Sequence, residues 1–193
     1  MLCEISLYFN NNFFLLWLIL SIITFIVLMI LSSFIFYYSY VKINYSKWLK
    51  KSNPKYPSVE NVRMEIILML KGICSGTFCP SLSIYLMSKN QLKGYCGLNQ
   101  YGFIYLIFSF FFIWIFVDLF EFLYHRMGHQ FDFLWKVHKS HHQFYNPTPF
   151  SVIAEDYIDQ IIGASPLVII PIIIPINMDL LFFQVCLFFF FLC

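Results

Sequence analysis

The chain has 193 residues, of which 60% are hydrophobic, 22% aromatic and only 11% charged. That charged fraction is less than half of what a soluble domain carries, which excludes a disordered chain or a disulfide-stapled secreted module and argues against an ordinary soluble enzyme. A formal net charge of +2 is too small and too dispersed for a nucleic-acid binder, so the composition points to a membrane protein.

The first apolar run, Phe13 to Tyr40, carries no charge and exceeds the ~20 residues needed to span a bilayer. No basic residue precedes it and no small-residue cleavage site follows, so the expectation is an anchor rather than a cleaved signal. A basic loop, 41–63, comes next, with Lys42, Lys47, Lys50, Lys51, Lys55 and Arg63; Pro54 and Pro57 oppose a helix there. The second run, 66–88, contains Lys71, Gly72, Gly76 and Pro80 and is predicted to be a weak, kinked or re-entrant span. The third is strongly apolar from Tyr101 to Val117 and runs straight into Asp118. A helix from Phe103 to His129 would be ~40 Å long against a ~30 Å hydrocarbon core, so its far end should emerge at the membrane surface. The last run, 161–193, is broken by Pro166, Pro171, Pro175 and Asn177 and is predicted to form two short halves with a turn at Asn177.

The fold class these runs predict is all-α: a polytopic membrane helical bundle with a cytosolic, histidine-rich helical cap. Residues 1–100 form an N-terminal membrane region and residues 101–193 a second unit. Charge bias places the 41–63 loop and the 121–160 segment in the cytosol, which leaves the sequon Asn44-Tyr45-Ser46 unmodified. The six cysteines form no C-x-x-C pair, and the expectation is small buried hydrophobes.

All five histidines fall between His125 and His142, as His125-Arg126-Met127-Gly128-His129 and His138-Lys139-Ser140-His141-His142. Residues i and i+4 share a helix face, so His125 and His129 can aim at one metal centre. At about 100° per residue, Asp118 lies within about 20° of His125, and Glu121 within about 40°. These four form a polar stripe, in which Asp118 and Glu121 are candidates to hold the ligating imidazoles from behind. His138, His141 and His142 can present imidazoles to a shared site suited to iron, copper, nickel or zinc. The zinc-protease pattern is excluded, since it requires a Glu where Arg126 stands. Arg126 and Lys139 read as surface charges, and Trp114 and Trp135 as interfacial anchors.

The two histidine clusters, their approaches Asp118-Leu119-Phe120-Glu121-Phe122-Leu123-Tyr124 and Leu134-Trp135-Lys136-Val137, and the following Asn146-Pro147-Thr148-Pro149-Phe150-Ser151 resemble the fatty acid hydroxylase superfamily. Within it the sterol desaturase branch, of the lathosterol oxidase kind, is most similar. The resemblance covers roughly 101–181. It implies an endoplasmic-reticulum enzyme with a histidine-ligated di-iron centre on the cytosolic face, O2 as co-substrate, a lipid or sterol as substrate and cytochrome b5 or a similar electron donor. The implied metal ligands are His125, His129, His138, His141 and His142. The family also carries a third box, roughly H-x-x-H-H, whereas no histidine follows His142. Two iron ions need more imidazoles than five, so the expectation is a fragment of an iron enzyme or, as the alternative, a non-catalytic membrane scaffold that keeps the fold.

Overall fold

The computed structural model describes residues 8, 12–42, 55–97 and 100–192, with side chains in the last helix described to 184 and at 187. It is helical almost throughout, and three of its helical elements are long and apolar enough to cross a membrane. Helix α1, Phe13–Phe36, continues into a π-helical turn at Tyr37–Val41. Asn12 caps its start by accepting a hydrogen bond from the Leu15 amide at 3.0 Å, which satisfies one of the unpaired amides of the first turn.

Helix α2, Val59–Gly76, starts inside the stretch expected to be loop. Ser58 is the reason: next to Pro57, its hydroxyl accepts from the Asn61 amide at 3.1 Å and caps the helix that starts at Val59. Residues 43–54, including the Asn44 sequon, lie outside the described residues. Helix α3, Phe78–Ser88, continues α2 across a break at Thr77, and the pair makes one 30-residue candidate span, Val59–Ser88. Pro80 has no N–H to give the Gly76 carbonyl, which breaks the ladder at the expected place. Helix α1 stitches the break: Trp17 Nε1 donates to the Cys74 carbonyl at 2.8 Å, and the Ser21 and Thr77 hydroxyls stand 2.7 Å apart.

Helix α4, Phe103–Gln130, is one unbroken rod of 28 residues, about 42 Å at 1.5 Å per residue. A short helix α5, Asp132–His138, follows, with 3-10 turns at His141–Gln143 and Pro149–Ser151. Helices α6, Tyr157–Ala164, and α7, Pro166–Ile173, meet at the Pro166 start of α7. Helix α8, Met178–Leu192, closes the chain after Asn177. The proline-rich run is divided before α8 as expected, but Asn177 itself is extended rather than a turn, and the first part is split at Ser165-Pro166.

One departure from pure helix is a two-residue parallel pairing of β1 (Gly94–Tyr95) with β2 (Ile176–Asn177). It ties the loop between α3 and α4 to the turn before α8. Cys96 of that loop is disulfide-bonded, Cys74 is exposed and Cys79 buried. The cysteines are thus not uniformly buried hydrophobes, because Cys96 lies in a loop rather than on a packed helix face.

Two apolar cores hold the elements. One joins Leu16, Ile84, Ile113, Ile170 and Leu181. The other joins Leu28, Met69, Ile73, Phe150 and Ile153 and carries the segment after the second histidine cluster. At Gly72 that segment touches α2 backbone to backbone: a Cβ there would sit 1.9 Å from the Ile153 carbonyl oxygen. Glu65 of α2, fully buried, accepts from the Thr148 amide at 3.2 Å and from the Thr148 hydroxyl. These contacts fix where the polypeptide leaves the second cluster.

Candidate metal centre

The last two turns of α4 bring His125 and His129 onto one face, their Nε2 atoms 3.1 Å apart. The chain then turns back through α5, which lays His138 against α4. Gly128 permits this approach, since a Cβ there would lie 2.9 Å from the His138 ring. The 3-10 turn adds His141 and His142, with His142 Nε2 3.3 Å from His138 Nε2. One ligand nitrogen each from His125, His138, His141 and His142 falls within 4.8 Å of the others. His129 stands at the edge of this group, beside His125 and under the Trp135 ring at 5.2 Å. Trp135, expected as an interfacial anchor, packs over the imidazoles of His129 and His142.

The donor set fits a metal. Two imidazole nitrogens bound to one ion at ~2.0–2.1 Å stand roughly 2.9–3.4 Å apart, depending on the angle between them. Both Nε2 pairs fall in that range. Two lone-pair nitrogens this close need a shared proton or a shared cation. Burial and the neighbouring imidazoles push His141 down to about 4 and lower His142 as well, so both rings are neutral near pH 7 and keep a lone pair for a ligand.

The structure also places residues that the histidine pattern alone did not reveal. Asp159 of α6, 2% exposed, faces His138, 4% exposed, with its Oδ2 3.1 Å from Nδ1. Tyr124 of α4 donates its phenol to the same carboxylate. Glu155 faces His141 Nδ1 at 3.5 Å and accepts from Gln160 Nε2 at 2.6 Å; burial and the Asp159 charge push its carboxyl up to about 7. A signal was present: Glu155, Asp156 and Asp159 are three of only ten acidic residues, clustered in an apolar stretch where carboxylates are costly. Asp118 and Glu121 line the adjoining cavity. The carboxylates facing His138 and His141 are Asp159 and Glu155. Arg126 and Lys139 are exposed.

That cavity, about 340 Å³, runs along α4 from His125 back to Ile113 and is walled on its far side by α6 and α7. Twelve residues of α4 separate its ends, about 18 Å of helix. His125, His138 and His141 stand at one end; Trp114, Val117, Ala164, Pro166 and Leu167 line the remainder. The arrangement is a histidine cluster that could hold a metal ion, at one end of an elongated, mainly apolar slot.

Residues 110–193 match the model of the fatty acid hydroxylase family. The chain is also similar to "Putative Delta(7)-sterol-C5(6)-desaturase 2" of Arabidopsis thaliana, 27% identical over 150 residues that make up 74% of this chain and 51% of that protein. The chain thus spans about half the length of that relative. No solved structure matches it. The paired histidine clusters on a membrane helical bundle thus lie within the part of the chain that is similar to the fatty acid hydroxylase family, and the relative it matches is a sterol desaturase by name.

Proposed function

We propose that this chain carries part of a membrane-bound, non-haem iron, O2-dependent oxidoreductase that desaturates or hydroxylates a lipid, with a sterol the favoured substrate. The observation that carries this reading is the convergence of four imidazoles, three of which line one end of a mainly apolar cavity that runs along about 18 Å of α4. Its ligands are His125, His129, His138, His141 and His142. Together they can complete the coordination of one ion and begin that of a second, as a di-iron centre requires. Iron held there would supply O2 activation and hydrogen abstraction from an unactivated C–H bond. The slot orients an apolar substrate along α4, presents one C–H bond to the histidine end and excludes water. Neutral imidazoles hold the metal without placing further charge at the membrane edge.

The expected location is the endoplasmic-reticulum membrane with the histidine end in the cytosol, where cytochrome b5 or a similar donor supplies electrons. Two features support this orientation. Lys/Arg residues crowd the loop after α1. The Cys96 disulfide lies at the opposite end of α4 from the histidines, and disulfides persist on the oxidising side of a membrane.

The test is iron content together with a lipid profile from cells expressing the protein. The expected result is bound iron and an O2-dependent change in sterols, both abolished by His138→Ala. A change that survives this substitution overturns the reading. The second reading, a non-catalytic scaffold relative that keeps the fold, is the opposite outcome of the same test. It predicts little bound iron and tolerance of the same substitution.

A further inference from the structure

The two carboxylates of the α6 segment stand four residues apart and face two different imidazoles of the second cluster: Asp159 meets Nδ1 of His138, and Glu155 meets Nδ1 of His141. The segment is held in register with that cluster, since the Asp156 amide donates to the Ser140 hydroxyl at 2.9 Å. Asp156 in turn caps α6 by accepting from the Ile158 amide at 2.9 Å. An ionised carboxylate only accepts hydrogen bonds. With Tyr124 donating to Oδ1, Oδ2 satisfies itself by taking the proton on His138 Nδ1. A neutral imidazole with its proton on Nδ1 has a bare Nε2, and His138 Nε2 is the atom that faces His142 Nε2 at 3.3 Å.

We propose that Asp159, anchored by Tyr124, is a positioning residue that locks His138 in the Nδ1–H tautomer so that Nε2 is offered to the metal, with Glu155 doing the same more weakly for His141. The inference rests on the metal-centre reading above. Solution imidazole favours the other tautomer, so without this carboxylate His138 would carry its proton on the nitrogen that must bind. All three members are buried, at 7% for Tyr124, 4% for His138 and 2% for Asp159. Water therefore cannot replace a lost partner cheaply. The network joins α4, α5 and α6, which makes the tertiary packing of three helices a condition of ligation.

The experiment uses the full chain purified in detergent micelles and stripped of metal by a chelator. Nitrogen-15 NMR of the labelled imidazoles reads the tautomer of His138, assigned by its loss in His138→Ala. Titration with Co(II), followed by its visible absorption, reads affinity. The expected result is Nδ1–H in the wild type, a switch to Nε2–H in Asp159→Asn, and Co(II) affinity lower on the order of 10- to 100-fold, the range for contacts behind a ligand. Tyr124→Phe and Glu155→Gln should each give a smaller loss. An Nε2–H His138 in the wild type overturns the inference without any variant being needed. So does an Asp159→Asn protein that keeps both tautomer and affinity. A wild type that takes up no Co(II) but shows the Nδ1–H tautomer sinks the metal-centre reading and leaves the positioning contact standing.

Discussion

The two histidine clusters reach the same point by different physical routes. His125 and His129 sit on a 28-residue helix that needs only its own period to align them. His138, His141 and His142 sit on a seven-residue helix and a three-residue 3-10 turn, too short to be stable alone. Among the described residues, no carboxylate hydrogen-bonds to His125 or His129, whereas His138 and His141 each face one. A long helix places its ligands by local geometry. A short turn needs side chains from elsewhere to hold its ligands in place.

The largest effect expected from this contrast is at His138. Replacing it by Ala removes a proposed ligand and leaves the buried Asp159 without its imidazole partner, so metal uptake should vanish and thermal unfolding should report a loss of about 1–3 kcal/mol. In the first cluster, His125→Ala should cost more Co(II) affinity than His129→Ala. His125 belongs to the four-member group, and His129 stands at its edge; equal losses would erase the distinction. Gly128→Ala tests the seam between the clusters. Its methyl would meet the His138 ring at 2.9 Å, costing about 1–3 kcal/mol by overpacking and lowering metal affinity with no ligand removed. Wild-type affinity in that variant would show that the ring can move away without penalty.

Farther out, Glu65→Ala leaves the Thr148 amide and hydroxyl unsatisfied in the core. A loss of about 1–3 kcal/mol in stability is expected, with the metal effect following only from the loosened segment after the second cluster. The smallest effect is expected at Trp135, which covers His129 and His142 without bonding to either. Trp135→Ala should lower Co(II) affinity by less than about tenfold, the low end of the range for contacts behind a ligand.

Where local forces dominate, the sequence was legible. Uninterrupted apolar residues marked α1 and α4, and Pro80 marked the break between α2 and α3. Histidine spacing pointed to five imidazoles, of which the fold groups His125, His138, His141 and His142 within 4.8 Å and leaves His129 at the edge. It was less legible where a single capping contact decides, as at Ser58, which starts α2 earlier than the basic loop suggested. It was silent where partners are distant in the chain. Thr148 meets Glu65 across 83 residues, and Tyr124 meets Asp159 across 35. The polar stripe on α4 directed attention to Asp118 and Glu121, which share a helix with His125. The carboxylates facing His138 and His141 come from another helix.

By itself the sequence determined a helical membrane protein with two histidine clusters of metal-ligand spacing, because hydropathy and the 3.6-residue period act within one element. Which carboxylates face His138 and His141 and how the slot meets the cluster were decided only by tertiary structure. Those properties arise between helices, where Gly72 and Gly128 permit the contact and buried donors must find acceptors that no local spacing announces.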